Sequence, residues 1–161
     1  MDFFLGVIRL LVQAKVEFVV VGGVAATLHG SARLTQDIDV VYRRTPGNID
    51  RLATALASVG PYLRGAPPGL PFRWDGPTIR RGLNFTLTTT LGDLDLLGEV
   101  VGGGKYEDLL AGSVEFAVDE LRFRCVDLPT LIRLKRAAGR RKDLDVLAEL
   151  EVLLELGSEK T

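Results

Sequence analysis

Phe18-Val19-Val20-Val21-Gly22-Gly23, followed after a spacer by Asp37-Ile38-Asp39-Val40-Val41-Tyr42, decides how this chain folds. An aromatic residue and three valines in succession make a short continuous apolar run, the pattern of a strand covered on both faces. Gly22-Gly23 ends it, Val24-Ala25-Ala26-Thr27-Leu28 suits a short helix closed by Gly30, and residues 37–42 read as a second strand.

Outward from this unit, Phe4, Leu5, Ile8, Leu11 and Val12 recur at helical spacing, which predicts an opening helix over residues 2–14. Pro46 suits a first helical turn, and Ile49, Leu52, Ala53, Leu56 and Val59 carry a further helix to Gly60. Residues 60–77 hold four Gly and five Pro and read as an irregular loop. Strand signals return at 83–90, 94–97, 114–118 and 121–126, the last two as a hairpin. Leu128-Pro129-Thr130 opens a helix to Ala138, Gly139 breaks it, and residues 141–156 form a Leu-rich closing helix. The expected fold is α+β, a mixed sheet with helices packed on it and two C-terminal helices, in one domain over residues 1–161.

The chain has 161 residues, 20 Lys+Arg against 21 Asp+Glu, and 47% hydrophobic residues. That length buries roughly 70% of its unfolded surface, so the core needs no external staple. A net charge of -1 excludes holding nucleic acid by bulk positive charge. With one cysteine, Cys125, and one histidine, His29, neither a disulfide framework nor a Cys-rich zinc site is available. Met1-Asp2-Phe3-Phe4 lacks the basic start of a signal peptide, and no apolar run approaches the roughly 20 residues that span a bilayer. The expected location is cytoplasmic, with no membrane partner.

Alternate residues of a strand share a face, so Asp37 and Asp39 present two carboxylates side by side. Like charges that close are costly without a cation, whereas Mg2+ accepts a few carboxylates together with water and phosphate oxygens. Leu94-Asp95-Leu96 offers a third acid. Asp93 points the same way and competes for the role; Asp95 is preferred because Asp93 follows Gly92 and can belong to the turn. Three such carboxylates could hold two divalent ions, Mg2+ or Mn2+. Gly22 and Gly23 would let a polyphosphate approach the backbone at the start of the following helix.

This ordered set resembles the nucleotidyltransferase superfamily, which includes DNA polymerase beta and many small bacterial enzymes. The shared signature is an apolar strand, Gly-Gly or Gly-Ser, acid-apolar-acid and a later acid, matched here by Gly22, Gly23, Asp37, Asp39 and Asp95. More narrowly, Gly22-Gly23 through Arg33-Leu34-Thr35-Gln36-Asp37-Ile38-Asp39, with Arg140-Arg141-Lys142-Asp143-Leu144 and Leu147, is similar to the AbiEii-type branch, which includes toxins of some toxin-antitoxin pairs. The loop is Gly-Gly-Val-Ala, unlike the Gly-Ser-Arg-Ala type of the minimal antitoxin nucleotidyltransferases. The resemblance implies transfer of a nucleoside monophosphate from an NTP to an acceptor hydroxyl, of RNA, such as a tRNA end, or of protein. Asp37 and Asp39 would ligate metal, and Asp95 would ligate the catalytic ion and favour deprotonation of the acceptor. A cognate antitoxin is an implied partner.

Lys135 follows Leu131 by four residues and Ile132 by three, which places it on the inward stripe of its helix, where it either snorkels to solvent or serves a buried anion, the leaving triphosphate being the natural candidate, with Arg140 and Lys142 in support. Ordinary structural roles stand beside these. Gly22-Gly23 alone could be a plain turn, and the basic run 131–142 before the acidic run 143–161 could be a solvated face or helix-end pairing. Trp74, Arg80 and Arg81 could guide an acceptor or anchor a loop, His29 reads as a helix-end or core histidine, and Cys125 as core. A nucleotidyltransferase fold that binds nucleotide or a partner without turnover is the alternative to an enzyme.

Overall fold

The computed structural model describes residues 2–159. Its elements run α1 (Asp2–Gln13), β1 (Phe18–Val21), α2 (Gly22–Leu28), β2 (Asp37–Tyr42), α3 (Pro46–Leu56), β3 (Tyr62–Leu63), α4 (Gly76–Arg81), β4 (Phe85–Thr89), β5 (Gly92–Leu97), α5 (Tyr106–Leu109), β6 (Ser113–Val118), β7 (Leu121–Val126), α6 (Leu128–Ala138) and α7 (Arg141–Glu159). The strands form one seven-stranded sheet in the order β3-β4-β5-β2-β1-β7-β6. Pairing is parallel for β1 with β7 and for β2 with β5, and antiparallel elsewhere. This is a mixed α+β architecture, as the order of sequence patterns predicts.

The unbroken apolar run of β1 has its explanation in this order: β1 lies between β2 and β7, and Val19 and Val20 are fully buried. β2 alternates instead. Ile38, Val40 and Tyr42 share one buried face, while Asp37, Asp39 and Val41 share the other. Helix α2 packs on β1, β2 and α6, and α6 packs on α7, so these three helices cover the region beside the Asp-bearing end of β2. Helix α1 packs on α3 and β7.

The ends of α6 follow their local chemistry. Asp127 caps it by accepting from Thr130 N at 2.8 Å, Pro129 sits in the first turn, and Gly139 closes it at φ +63°. Gly139 then releases the chain into α7 after one intervening residue.

Residues 60–77 are more ordered than their composition predicts. They contain β3, which pairs with β4, and the start of α4, where Asp75 caps by accepting from Thr78 N at 2.9 Å. β4 starts at Phe85, two residues later than expected. β5 starts at Gly92, two residues earlier, because Thr89 and Gly92 close a tight turn into the β4 pairing. Asp93 is therefore a strand residue and not part of a turn.

Trp74 donates from Nε1 to Ala53 O at 3.1 Å and meets Phe85 edge-on, and Arg80 pairs with Asp50 at 2.8 Å. These side chains anchor the segment to α3. His29 donates from Nε2 to Val126 O at 2.8 Å at the end of α2. Cys125 is buried on β7, where burial pushes its thiol up to about 12, so it stays unreactive.

Candidate active site

Strand register brings the acids together. β1 and β2 run antiparallel, so the end of β1 meets the beginning of β2, with Val21 opposite Asp39. β2 and β5 run parallel, with Asp37 opposite Asp93 and Asp39 opposite Asp95. One carboxylate oxygen from each of Asp37, Asp39 and Asp95 lies within 4.8 Å of the other two. Three acidic residues are thus positioned to bind a metal ion.

Asp39 is the most perturbed. Burial, then the charges of Asp37 and Asp95, push its pKa up to about 8 against the opposing pull of Lys135. Its Oδ1 is buried and has no hydrogen-bond partner. A buried carboxylate oxygen without a donor is expensive, and a cation among these oxygens would satisfy it and let all three acids ionise. The donor set is entirely oxygen, which suits a hard divalent ion.

The glycine pair has a more specific task than the sequence indicates. Gly22 has φ +70°, and a Cβ there would land inside the Asp39 carboxylate. A Cβ on Gly23 would stand 2.6 Å from Thr35 Oγ1, which itself donates to Asp37 O at 3.0 Å. The missing side chains admit Asp39 and the loop before Asp37. Gly22→Ala should displace the Asp39 carboxylate and strain the backbone by on the order of 1–3 kcal/mol, a Tm loss of roughly 2–10 °C by thermal melting.

Bases share a cleft of about 550 Å³ with acids of the cluster. Lys135, Arg140, Lys142 and Arg33 line it together with Gly23, Asp37, Asp39 and Asp93. Lys135 and Arg140 are both fastened to Asp143, whose side chain is completely buried. Lys135 Nζ lies 3.3 Å from Asp143 Oδ1 and Arg140 Nε 2.6 Å from Oδ2. Burial raises the Asp143 pKa, but hydrogen bonding from Arg140 and the charges of Lys135 and Arg140 outweigh it and hold the group below its ordinary value. Lys142 stands exposed on the rim.

The loop between α2 and β2 is tied to α7. Ser31 Oγ donates to Glu149 at 2.5 Å, and Arg33 donates from Nη2 to Asp145 O at 2.9 Å. Sequence reasoning leaves Ser31 unassigned and quotes Asp143 within the segment from Arg140 to Leu144 without giving it a role. It also misses Arg64, which follows β3 and sits among the acids. Arg64 Nη2 donates to Asp95 Oδ1 at 2.8 Å, and its other nitrogens lie 3.4 Å from Asp93 and 3.8 Å from Asp37. Nothing in the Gly/Pro-rich run around Arg64 signals this, because the contact depends on pairing with β4.

The sheet order, the helices beside it and the converging acids define a nucleotidyltransferase-like fold. Structural comparison agrees: the chain is similar to a candidate nucleotidyltransferase from Thermotoga maritima known from its crystal structure, with TM-score 0.52 and 13% sequence identity, over 97% of this chain and 91% of that one. No protein-family model matches the sequence, and no curated protein matches it. Among the described residues no helix is long and apolar enough to cross a membrane.

Proposed function

We propose that this chain is a metal-dependent nucleotidyltransferase that moves a nucleoside monophosphate from an NTP to an acceptor hydroxyl. The observation that carries the reading is the division of one cleft into an acidic wall with an unsatisfied buried oxygen and a basic wall anchored on Asp143. The arrangement suits a substrate that is itself divided, a polyphosphate accompanied by divalent cations.

Asp37, Asp39 and Asp95 would hold Mg2+ or Mn2+, which when bound supplies charge stabilisation to the transferring phosphoryl group and lowers the pKa of an oxygen nucleophile. Lys135 and Arg140 bind the phosphates, held in place by Asp143, and Lys142 adds charge at the rim. Asp95, opposite Asp39 in the strand register, would accept a proton from the acceptor hydroxyl. Gly22 and Gly23 keep the cleft floor open beside the phosphate path. The whole chain, residues 1–161, is read as one catalytic unit.

The test is incorporation of label from α-labelled NTPs into a broad extract of RNA and protein. Incorporation should require Mg2+ or Mn2+ and vanish in Asp37→Ala. None with all four NTPs would overturn the reading. A manganese-soaked crystal should show anomalous density between the three carboxylates.

The AbiEii-type reading, with an acceptor such as a tRNA end, is a finer proposal. Its support is that residues of both quoted segments line the cleft, Arg33 to Gln36 from the α2–β2 loop with Asp37 and Asp39 from β2, and Arg140 and Lys142 from the junction of α6 and α7. If the chain is the toxin of such a pair, the product of a neighbouring small reading frame should copurify with it.

A binding module without turnover is the second reading, and Arg64 favours it, since a guanidinium already neutralises part of the acidic cluster. In that case nucleotide binding measured by calorimetry should survive Asp95→Ala unchanged, whereas an enzyme should lose its metal-dependent component.

A further inference from the structure

We propose that Arg64 is a built-in counter-cation of the acidic cluster, so that a divalent ion enters in competition with its guanidinium. This rests on the metal-binding reading above and concerns what sets the affinity of that site.

The backbone of Arg64 is fixed at the sheet edge, donating from N to Thr86 O at 3.0 Å. From there the side chain crosses β4, where Nη2 donates to Leu87 O at 2.8 Å, and reaches acids on β5 and β2. Arginine combines the length for this crossing with a fork of donors that can meet several acceptors at once.

The fit is incomplete. Only Asp95 and the Leu87 carbonyl accept hydrogen bonds from Arg64; Asp93 at 3.4 Å and Asp37 at 3.8 Å are charge contacts. Arg64 Nε is buried without a hydrogen-bond partner. Among the described residues, it and Asp39 Oδ1 are the two buried side-chain nitrogen or oxygen atoms in that condition. A guanidinium serving as a structural strut satisfies its N–H groups. Here both unsatisfied atoms belong to one cluster, and one of them is a carboxyl oxygen the guanidinium does not reach.

Asp37, Asp39, Asp93 and Asp95 bring four carboxylates to the ends of two paired strands, with Arg64 as the cation placed among them. One guanidinium relieves part of the repulsion and holds the metal-free cluster together. A divalent ion drawing on Asp37 and Asp95 takes the oxygens that Arg64 uses and repels it at close range. Arg64 is 27% exposed and lines the cleft, so it has room to withdraw from the acids.

The experiment is Mn2+ binding to the full chain, by calorimetry or by loss of the free-ion resonance signal, for wild type, Arg64→Gln and Arg64→Lys. Removing the competing charge should tighten binding in Arg64→Gln by ~10-fold or more. Arg64→Lys keeps the charge but not the fork and should fall between. If Arg64→Gln does not fold without metal, the rise in Tm on adding Mn2+ should be larger for Arg64→Lys than for wild type. Binding by folded Arg64→Gln equal to or weaker than wild type overturns the inference, as does an equal or smaller Tm rise in Arg64→Lys. Such a result leaves the metal site itself standing. Absence of Mn2+ binding in wild type and both variants overturns the inference and the metal reading together.

Discussion

Asp39→Asn should abolish NTP-dependent labelling, by ~10³-fold or more, and at the same time raise the melting temperature of the metal-free protein at neutral and alkaline pH. The two effects have one origin. Asp39 is the acid on which burial and the charges of Asp37 and Asp95 converge, and its Oδ1 has no donor. An amide at that position keeps the shape, removes the charge and loses the metal ligand.

The pH dependence follows in sign. The folded-state pKa of Asp39 is pushed up to about 8, whereas an unfolded aspartate titrates near 3.8. Between those values the folded protein retains a proton that the unfolded chain has released, so stability falls as pH rises across that window. Metal-free wild type should melt progressively lower from about pH 4 to about pH 8. Asp39→Asn should lack that part of the decline, and saturating Mg2+ or Mn2+ should flatten the wild-type profile. Parallel profiles for wild type and Asp39→Asn, with or without metal, would show that Asp39 is not the strained group.

Asp143→Ala should have the second large effect, on the basic wall. The carboxylate is wholly buried and accepts from Lys135 Nζ and from the backbone N, Nε and Nη2 of Arg140. Its removal frees both cations from the cleft wall and leaves the Arg140 N–H unpaired, costing on the order of 2 kcal/mol in stability. The apparent KM for NTP should rise by about 10-fold or more while the metal site is untouched. Asp143→Asn separates the two roles: it can still accept from the Arg140 N–H, so stability should largely return while the KM defect persists. Unchanged KM in a folded Asp143→Ala protein would remove Lys135 and Arg140 from the phosphate site.

The acidic wall is legible in the sequence because strand geometry is local. Residues two apart share a face, so Asp37 and Asp39 have to stand together once residues 37–42 are a strand, and Asp95 follows from the alternation Leu94-Asp95-Leu96. The register that sets Asp39 opposite Asp95 and Asp37 opposite Asp93 is not local, and the sequence leaves Asp93 open to a turn, whereas the strand begins two residues earlier than expected, at Gly92. Lys135 is legible from helical spacing. Its partner Asp143 is not, because the Gly139 break between α6 and α7 determines how the two helices meet.

What the sequence determined by itself, therefore, is the longer helices and strands and the faces of Asp37, Asp39, Asp95 and Lys135, since backbone periodicity and caps act over a few residues; the short β3, α4 and α5 carry too few residues to show a period. Only the tertiary structure decided that Arg64, from a segment with the composition of a loop, reaches across β4 into the acids, and that Asp143 anchors two cations toward the cleft. Both depend on charges distant along the chain being brought together at short range. Coulombic attraction of that kind depends on distance in space, and a linear pattern of residue types does not contain that distance.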